Sequence, residues 1–419
     1  MKLVFDAGQR FTCQQCGRCC RRGWDIALTP AEVEDYRRAR VERFFREGGA
    51  DVEGAASDPF EPSPGHAEPM RIRKRPDGAC GFLSPEDRCR IHEELGGARK
   101  PLTCRLFPFR FLPGESAPLV TASFCCPTVV RNTGAPLGEQ GRELSALQRD
   151  WARAFPEPER PTLLALERRI DAGLLALVRS KLRGLLDRPG PDGAPDLRQN
   201  AARMGLLLDD WSRLRVLGLA DAALAEYLEL TGSFALRDAK PPARQRPSRI
   251  ARLLFRGFVY AVVAARLQLE HGRHGGLRLR LTRLLLRAHG LWPGGEDLDL
   301  GAARRAALDL GRPELRELVG HRLRSSLATL GAGPGTLAEE AGLSLALLQA
   351  GCVLAGMRAG RAGRAQVDAE ELAQGLMDAA ELSHAEPGGA YGALLLTLSG
   401  GVEAFFLFAE GWPQRAAAR

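Results

Sequence analysis

The distribution of cysteines is the feature that most constrains this chain of 419 residues. Nine of its ten cysteines lie within the first 126 residues, and the remaining one is Cys352. Thiols at this density are typical of a disulfide framework in an oxidising compartment or of a metal site in a reducing one. No secretory signal follows Met1, because the apolar run 3–5 is short and meets Asp6 at once. We therefore expect a cytoplasmic protein whose clustered thiols bind metal, with the isolated Cys352 as a buried small hydrophobe.

The sharpest motif is a run of four cysteines in which two residues separate each of the first three. A Cys-x2-Cys turn lets two sulfurs converge on one ion, and Gly17 permits a tight backbone between them. Both sulfurs of an adjacent cysteine pair are not expected to reach one ion without strain, so one of that pair could serve a second site. The run comprises Cys13, Cys16, Cys19 and Cys20.

Further metal donors follow the first run at irregular spacing. The remaining candidate ligands are Cys80, Cys89, His92, Cys104, Cys125 and Cys126. A tetrahedral site uses four ligands, so the full set is enough for one site with spares or for two sites. Two cysteine–histidine sites would suit zinc, whereas the Cys-x2-Cys-x2-Cys run and Cys126-Pro127 suit an iron–sulfur cluster of the 4Fe–4S type. The spacing leaves zinc and iron open.

Charge supports a thiolate centre. Four thiolates on zinc or on an oxidised four-iron cluster leave a net charge of about −2, which nearby arginines would offset while lowering the thiol pKa values. The arginines beside the cysteines are Arg18, Arg21, Arg22, Arg88, Arg90 and Arg105. Over the whole chain the formal net charge is only +8, and the basic residues are dispersed. This pattern favours a solvated surface over a specific nucleic-acid interface.

The composition favours helices over sheets, because aromatic residues make up only 6% of the chain and bulky β-branched residues seldom cluster. We expect a mainly α fold in which an N-terminal cysteine-rich metal-binding module, made of short strands, loops and one helix, precedes a multi-helix region. The predicted domains are 1–134 for the module, 135–240 for a helical region and 241–419 for a C-terminal helical region.

Local signals place the main elements. A helix should begin at Pro30, with Thr29 as its N-cap and Glu32 completing a capping box, and should run to about residue 46. Short strands are expected at 70–74 and 119–124. Apolar residues at helical spacing predict further helices over 137–155, 162–186, 199–229, 249–270, 277–289, 313–330, 336–357, 367–382 and 390–409.

The helical region offers architecture but no catalytic pattern. The adjacent acids Asp209 and Asp210 point in different directions on a helix, so they do not form an acid–base pair. No phosphate loop and no dinucleotide-binding glycine motif is present. The weakly charged stretch 388–409 is long enough to be considered for a membrane span, but Glu403 and Gly400-Gly401 favour a buried helical hairpin. We expect no membrane span.

Taken in order, these motifs resemble the CxxCxxCC family, also called YkgJ-type, of zinc- or iron-chelating domains. The resemblance covers roughly residues 11–130 and implies metal chelation through the cysteines. Besides the first run and the final cysteine pair, it rests on Cys80-Gly81-Phe82-Leu83, Cys89-Arg90-Ile91-His92 and Cys104-Arg105-Leu106-Phe107-Pro108.

Within that family the chain is similar to the flagellin lysine N-methylases. The similarity rests on Gly23-Trp24-Asp25-Ile26, on Tyr36 and on His92-Glu93-Glu94-Leu95-Gly96. It implies, more weakly, an enzyme that transfers methyl groups from S-adenosylmethionine to lysines of a protein partner such as a flagellin. A helical interaction protein with a purely structural metal site is the third alternative.

Overall fold

In a computed structural model, the chain folds into two compact units with a mainly α-helical content, which confirms the predicted fold class. The first unit comprises Met1–Phe111 and Val120–Pro158, and the second comprises Leu112–Leu119 and Glu159–Arg419. The predicted domain boundary at residue 134 stays a prediction.

The structure describes most of the chain. The described residues are 2–47, 58–62, 70–155, 161–238, 258, 300–382 and 403–409, without positions 7, 23, 76, 115, 166, 167, 214, 215, 217 and 334. The domain boundary predicted at residue 240 lies outside them. The helix predicted at 249–270 also lies outside them, apart from residue 258. The same holds for the helix predicted at 277–289 and for residues 390–402 of the last predicted helix.

Short elements joined by tight turns build the first unit. Its strands are β1 Val4–Phe5, β2 Arg10–Phe11, β3 Ala27–Leu28, β4 Phe60–Pro62, β5 Met70–Ile72, β6 Phe109–Leu112, β7 Leu119–Ala122 and β8 Ala135–Pro136. They form small sheets with the strand orders β3-β5-β4, β1-β7-β6 and β2-β8. Its helices are α1 Pro30–Arg38, α2 Glu42–Glu47, α3 Arg90–Leu95, α4 Leu102–Leu106, α5 Pro127–Val130 and α6 Gly141–Ala154.

The helix predicted from Pro30 begins where expected and is shorter than expected. Its capping box is present, since the Thr29 side chain accepts from the Glu32 backbone N–H and the Glu32 carboxylate accepts from the Thr29 backbone N–H. The helix ends because Arg40 adopts a positive φ of 55°. This turn lets Val41 and the following helix α2 bury apolar side chains in the same core as Tyr36.

Longer helices build the second unit. Its elements are strands β9 Thr162–Ala165 and β10 Arg168–Ile170 and helices α7 Ala172–Leu186, α8 Leu197–Trp211, α9 Asp221–Arg237, α10 Leu300–Arg305, α11 Pro313–Ala328, α12 Leu337–Arg361, α13 Ala369–Leu382 and α14 Glu403–Ala409. Strands β9 and β10 form an antiparallel pair.

Two helix predictions in this unit are wrong in part. The helix predicted at 162–186 begins only after the β9–β10 hairpin, where the Asp171 carboxylate caps it by accepting from the Leu174 N–H. The helix predicted at 199–229 is two helices, α8 and α9. They are tied together by Trp211, whose Nε1–H donates to Thr231 Oγ1 at 2.9 Å across the break. In both places tertiary packing overrides a continuous helical pattern of apolar residues.

Helix α12 forms the centre of the second unit and packs against α10 and α13. The helices approach closely because Gly351 of α12 faces Gly375 of α13, and a Cβ on either residue would collide with the backbone of the other helix. In the described part of the chain, α12 alone is long and apolar enough to cross a membrane, and 83% of its most apolar window is buried inside the fold.

Candidate metal centre

The first cysteine run folds into a tight turn that only glycine allows. Gly17 has a φ of +64°, and a Cβ there would collide with the backbone carbonyl of Asp87. A 3-10 turn over Arg18–Arg21 follows, in which the Cys20 N–H donates to the Gly17 carbonyl at 2.8 Å. The turn therefore brings the start of the cysteine run against the loop that precedes Cys89.

The sulfurs of Cys19 and Cys20 lie 4.0 Å apart. Sulfurs that share a tetrahedral zinc ion are about 3.8 Å apart, given a Zn–S bond of about 2.3 Å. The sequence predicts that these two adjacent sulfurs do not reach one ion without strain, and which of them would bind a metal stays a prediction. The 3-10 turn lets the two sulfurs approach, because successive side chains are about 120° apart around its axis rather than on opposite faces as in a strand.

A third sulfur joins this pair from a distant segment. The Cys20 thiol hydrogen-bonds with both Cys19 and Cys89, which raises the pKa of Cys20 well above its ordinary value. The same hydrogen bonds lower the pKa values of Cys19 and Cys89. The sulfurs of Cys19, Cys20 and Cys89 therefore interact within a half-buried cluster, in which hydrogen bonding between thiols favours the thiolate form of the acceptor.

Cys80 and Cys104 lie around this group of three sulfurs. The Cys80 backbone N–H donates to the Cys20 carbonyl at 2.7 Å. Cys104 is on helix α4 and interacts electrostatically with Cys80, Cys89 and Cys19. Burial raises the pKa of Cys80 to about 11 and that of Cys104 well above its ordinary range. These two thiols are therefore protonated at neutral pH, and a metal ion would have to displace their protons.

The other candidate donors lie at or beyond the edge of this cluster. Cys13 and Cys16 are exposed, whereas Cys125 and Cys126 are buried. Cys126 interacts electrostatically with Cys16. Nothing in the structure tests which of these donors bind metal, so their roles as ligands stay predictions.

The imidazole of His92 points towards Gln15 at the rim. Its Nε2 lies 3.4 Å from Gln15 Nε2. Partial burial, and then the positive charge of Lys100, lower the pKa of His92. The ring is therefore neutral at physiological pH, the form that can bind a metal.

The donor chemistry of the cluster fits zinc or iron, since both bind thiolates. No group of three or more His, Cys, Asp or Glu side chains in the described ranges already has metal-binding spacing. The fit therefore rests on the identity, burial and convergence of the sulfurs around Cys20.

Residues 12–127 match the family model named CxxCxxCC, which carries the description "Putative zinc- or iron-chelating domain". We refer to this matched segment as the CxxCxxCC domain. It spans the whole cysteine cluster, and the chelation of zinc or iron that its description names agrees with the predicted chemistry. The match does not single out the lysine N-methylase branch. Neither the comparison with curated proteins nor that with solved structures gave a match.

Three of the arginines beside the cysteines, Arg21, Arg22 and Arg88, contact groups other than sulfurs. Arg21 pairs with Asp87, and Arg88 lies 3.8 Å from Glu93. The guanidinium of Arg22 donates to the Cys125 carbonyl at 3.2 Å. These contacts orient loops of the domain, which is a different role from the predicted neutralisation of thiolates.

A further cation of the domain is Lys100, which no motif in the sequence singled out. It interacts electrostatically with Cys104, Cys19, Cys89 and Cys13. Burial lowers the pKa of Lys100, but these sulfurs raise it more, so the ammonium stays charged. A search for cations one helical turn from each cysteine, rather than beside it, would have found this residue, because Lys100 precedes Cys104 by four positions.

Trp24 lies next to the helix that carries Cys104. Its ring centroid is 4.9 Å from that of Phe107, which follows helix α4, and the Arg22 guanidinium lies 5.5 Å from its centre. The indole of this CxxCxxCC domain therefore braces α4 and the first cysteine loop from one side.

Proposed function

We propose that the CxxCxxCC domain binds zinc or iron through thiolates centred on Cys19, Cys20 and Cys89. Cys80 and Cys104 are the nearest further donors. The observation that carries this proposal is the convergence of sulfurs from two distant segments, with those of Cys19 and Cys20 4.0 Å apart and that of Cys89 interacting with both. A bound zinc ion would brace the surrounding loops, and iron would add electron transfer.

The protein supplies a half-buried setting for such an ion. Cys20 and Cys80 belong to the apolar core of the domain, with Phe82 and Ile91 among its other members. Apolar surroundings exclude water and strengthen electrostatic interactions with a cation. They also keep the thiols of Cys80 and Cys104 protonated, so metal uptake should release protons.

Metal analysis of the purified protein, combined with absorption spectroscopy under anaerobic conditions, tests the proposal. We expect zinc or iron in stoichiometric amounts. A broad band near about 400 nm would identify an iron–sulfur cluster, whereas colourless protein with zinc would identify a thiolate zinc site. Protein that takes up neither metal, even after reduction and reconstitution, would contradict the proposal.

Cysteine variants test which sulfurs hold the ion. Cys89→Ala and Cys104→Ala should each lower the metal content strongly. Cys352→Ala is the matched control, because Cys352 is equally a cysteine but is buried in helix α12 of the second unit. An unchanged metal content in both Cys89→Ala and Cys104→Ala would mean that the ligands are other donors.

The finer assignment as a lysine N-methylase rests on the sequence resemblance and stays a prediction. Its partner would be a protein that presents lysine side chains, and its cofactor would be S-adenosylmethionine. Calorimetric titration of the metal-loaded protein with S-adenosylmethionine tests it. Heat of binding with a defined stoichiometry would support the enzyme, and an absence of binding would leave a metal-chelating protein with a structural or redox site.

A further inference from the structure

Arg22 is a buried cation that contacts other segments of the CxxCxxCC domain. It lies two positions after Cys20, at the end of the first cysteine run, and only 8% of the residue is exposed. Its guanidinium Nη2 donates to the Cys125 carbonyl at 3.2 Å, across 103 positions of the chain. This hydrogen bond therefore joins the first cysteine run to the final cysteine pair, although the two are far apart in the sequence.

The same guanidinium also lies over an aromatic ring. Its central carbon is 5.5 Å from the ring centroid of Trp24. Trp24 packs in turn against Phe107, with ring centroids 4.9 Å apart, and Phe107 directly follows the helix that carries Cys104. The Arg22 carbonyl accepts from Lys74 Nζ at 3.2 Å, so the backbone is held at this position as well. Through these contacts Arg22 connects three segments that carry cysteines.

Arginine suits this position better than lysine would. A buried charge is costly unless it is hydrogen-bonded, and a guanidinium offers five donors in a planar group that also stacks on an aromatic ring. The ammonium of a lysine would carry the same charge as a compact point without a planar face. The contacts around Arg22 therefore depend on the shape of the guanidinium as well as on its charge.

We propose that Arg22 is a positioning residue of the metal centre, which holds the final pair Cys125-Cys126 against the first cysteine run. This inference rests on the proposed metal binding. Both amide groups of the pair donate to Ser123, at 3.3 Å from Cys125 and 3.1 Å from Cys126, so the pair forms one turn that moves as a unit. Loss of the Arg22 contact should therefore release both cysteines and weaken metal binding, while the rest of the domain stays folded.

Alkylation of the metal-free protein with iodoacetamide, mapped by mass spectrometry, tests the positioning role. Cys125, Cys126 and Cys80 are all buried, so all three should react slowly in the wild type. Arg22→Gln and Arg22→Lys should each speed up the alkylation of Cys125 and Cys126 by about 10-fold or more, because a hydrogen bond from a charged group no longer holds the pair. Cys80 should keep its wild-type rate, since it belongs to the core of the same domain.

Zinc affinity, measured by competition with a chromophoric chelator, tests the consequence for the metal centre. Both Arg22 variants should bind zinc about 10- to 100-fold more weakly than the wild type, as for other residues that hold metal ligands in place. Arg38→Gln is the control, because Arg38 lies in the same domain and forms an exposed ion pair with Glu34. This variant should leave the zinc affinity and the alkylation rates unchanged.

Each result has a distinct meaning. Wild-type protein that binds zinc, together with Arg22 variants of equal zinc affinity, would overturn the positioning role and leave the proposed function intact. A rise in the alkylation of Cys80 that matches the rise at Cys125 would also overturn it, since Arg22 would then support the fold of the whole domain. An Arg22→Lys variant that behaves as the wild type does would overturn it in favour of a purely electrostatic role. Wild-type protein that binds neither zinc nor iron would overturn both proposals.

Discussion

The carboxylate of Glu32 accepts a hydrogen bond from the backbone N–H of Leu102 at 2.6 Å. The other oxygen of the same carboxylate accepts from the Thr29 N–H at 2.9 Å and closes the capping box of α1. One side chain therefore caps α1 and binds the first turn of α4, the helix that carries Cys104. The negative charge also suits the N-terminal end of a helix.

Replacing Glu32 should therefore affect stability and metal binding together. Glu32→Ala removes a cap and leaves the Leu102 N–H without its partner, and we expect the free energy of unfolding to fall by about 2 kcal/mol. Denaturant unfolding measures this change. Glu34→Ala, which removes an exposed carboxylate 3.4 Å from Arg38, should change it by no more than about 0.5 kcal/mol. Equal effects in the two variants would show that Glu32 does not link the helices.

Gly17 should be irreplaceable in the cysteine turn. Gly17→Ala combines a left-handed backbone, which costs about 1–2 kcal/mol, with a collision against the Asp87 carbonyl. We expect loss of most bound metal, as measured by metal analysis. Gly8→Ala is the control, because Gly8 also has a positive φ of +83° but a Cβ there meets open space. If both variants keep their metal, the turn at Gly17 is not needed to gather the sulfurs.

The buried carboxyl of Glu340 should make the stability of the second unit depend on pH. Burial raises its pKa from 4.5 to about 7, although the Gly331 and Gly333 N–H groups lower it. Because the pKa of Glu340 is higher in the folded state, its protonated carboxyl contributes fully to the free energy of unfolding below about pH 4.5. This contribution is lost as the pH rises through about 7.

Glu340→Gln should remove this dependence. The difference in the free energy of unfolding between the variant and the wild type should grow in favour of the variant by up to about 3 kcal/mol from pH 4.5 to 7. Denaturant unfolding at several pH values measures this difference. Glu226→Gln, which changes an exposed carboxylate on α9, is the control variant. Parallel pH profiles for the wild type and Glu340→Gln would contradict the prediction.

The close approach of α12 and α13 should not tolerate an added methyl group. Gly375→Ala would place a Cβ against the Gly351 carbonyl, and we expect a loss of about 1–3 kcal/mol in denaturant unfolding. Gly320→Ala is the helical control. A Cβ at Gly320 makes only ordinary contacts of 3.5 Å or more with Arg324, so the higher helix propensity of alanine should leave stability unchanged or raise it by up to about 1 kcal/mol. A Gly375→Ala variant as stable as the wild type would mean that the helices can separate at no cost.

The sequence by itself determined those features that depend on neighbouring residues. The capping box at Thr29 and Glu32 is formed within one helical turn, so its pattern was sufficient to predict where α1 begins. The set of candidate sulfur donors and the CxxCxxCC resemblance were also readable, because residue identity and spacing carry them. The mainly α fold followed from composition, whereas the β9–β10 hairpin did not, since its apolar residues also fit a helical period.

Only the tertiary structure decided which of these donors meet. Cys20 and Cys89 come together because the Gly17 turn packs against Asp87, a contact between segments far apart in the chain. The side chains of Arg21, Arg22 and Arg88 pair with Asp87, the Cys125 carbonyl and Glu93, contacts that the positions of these arginines beside the cysteines did not predict. Local hydrogen bonds are set by residues a few positions apart, but the position of a charge in a cluster depends on how distant segments pack.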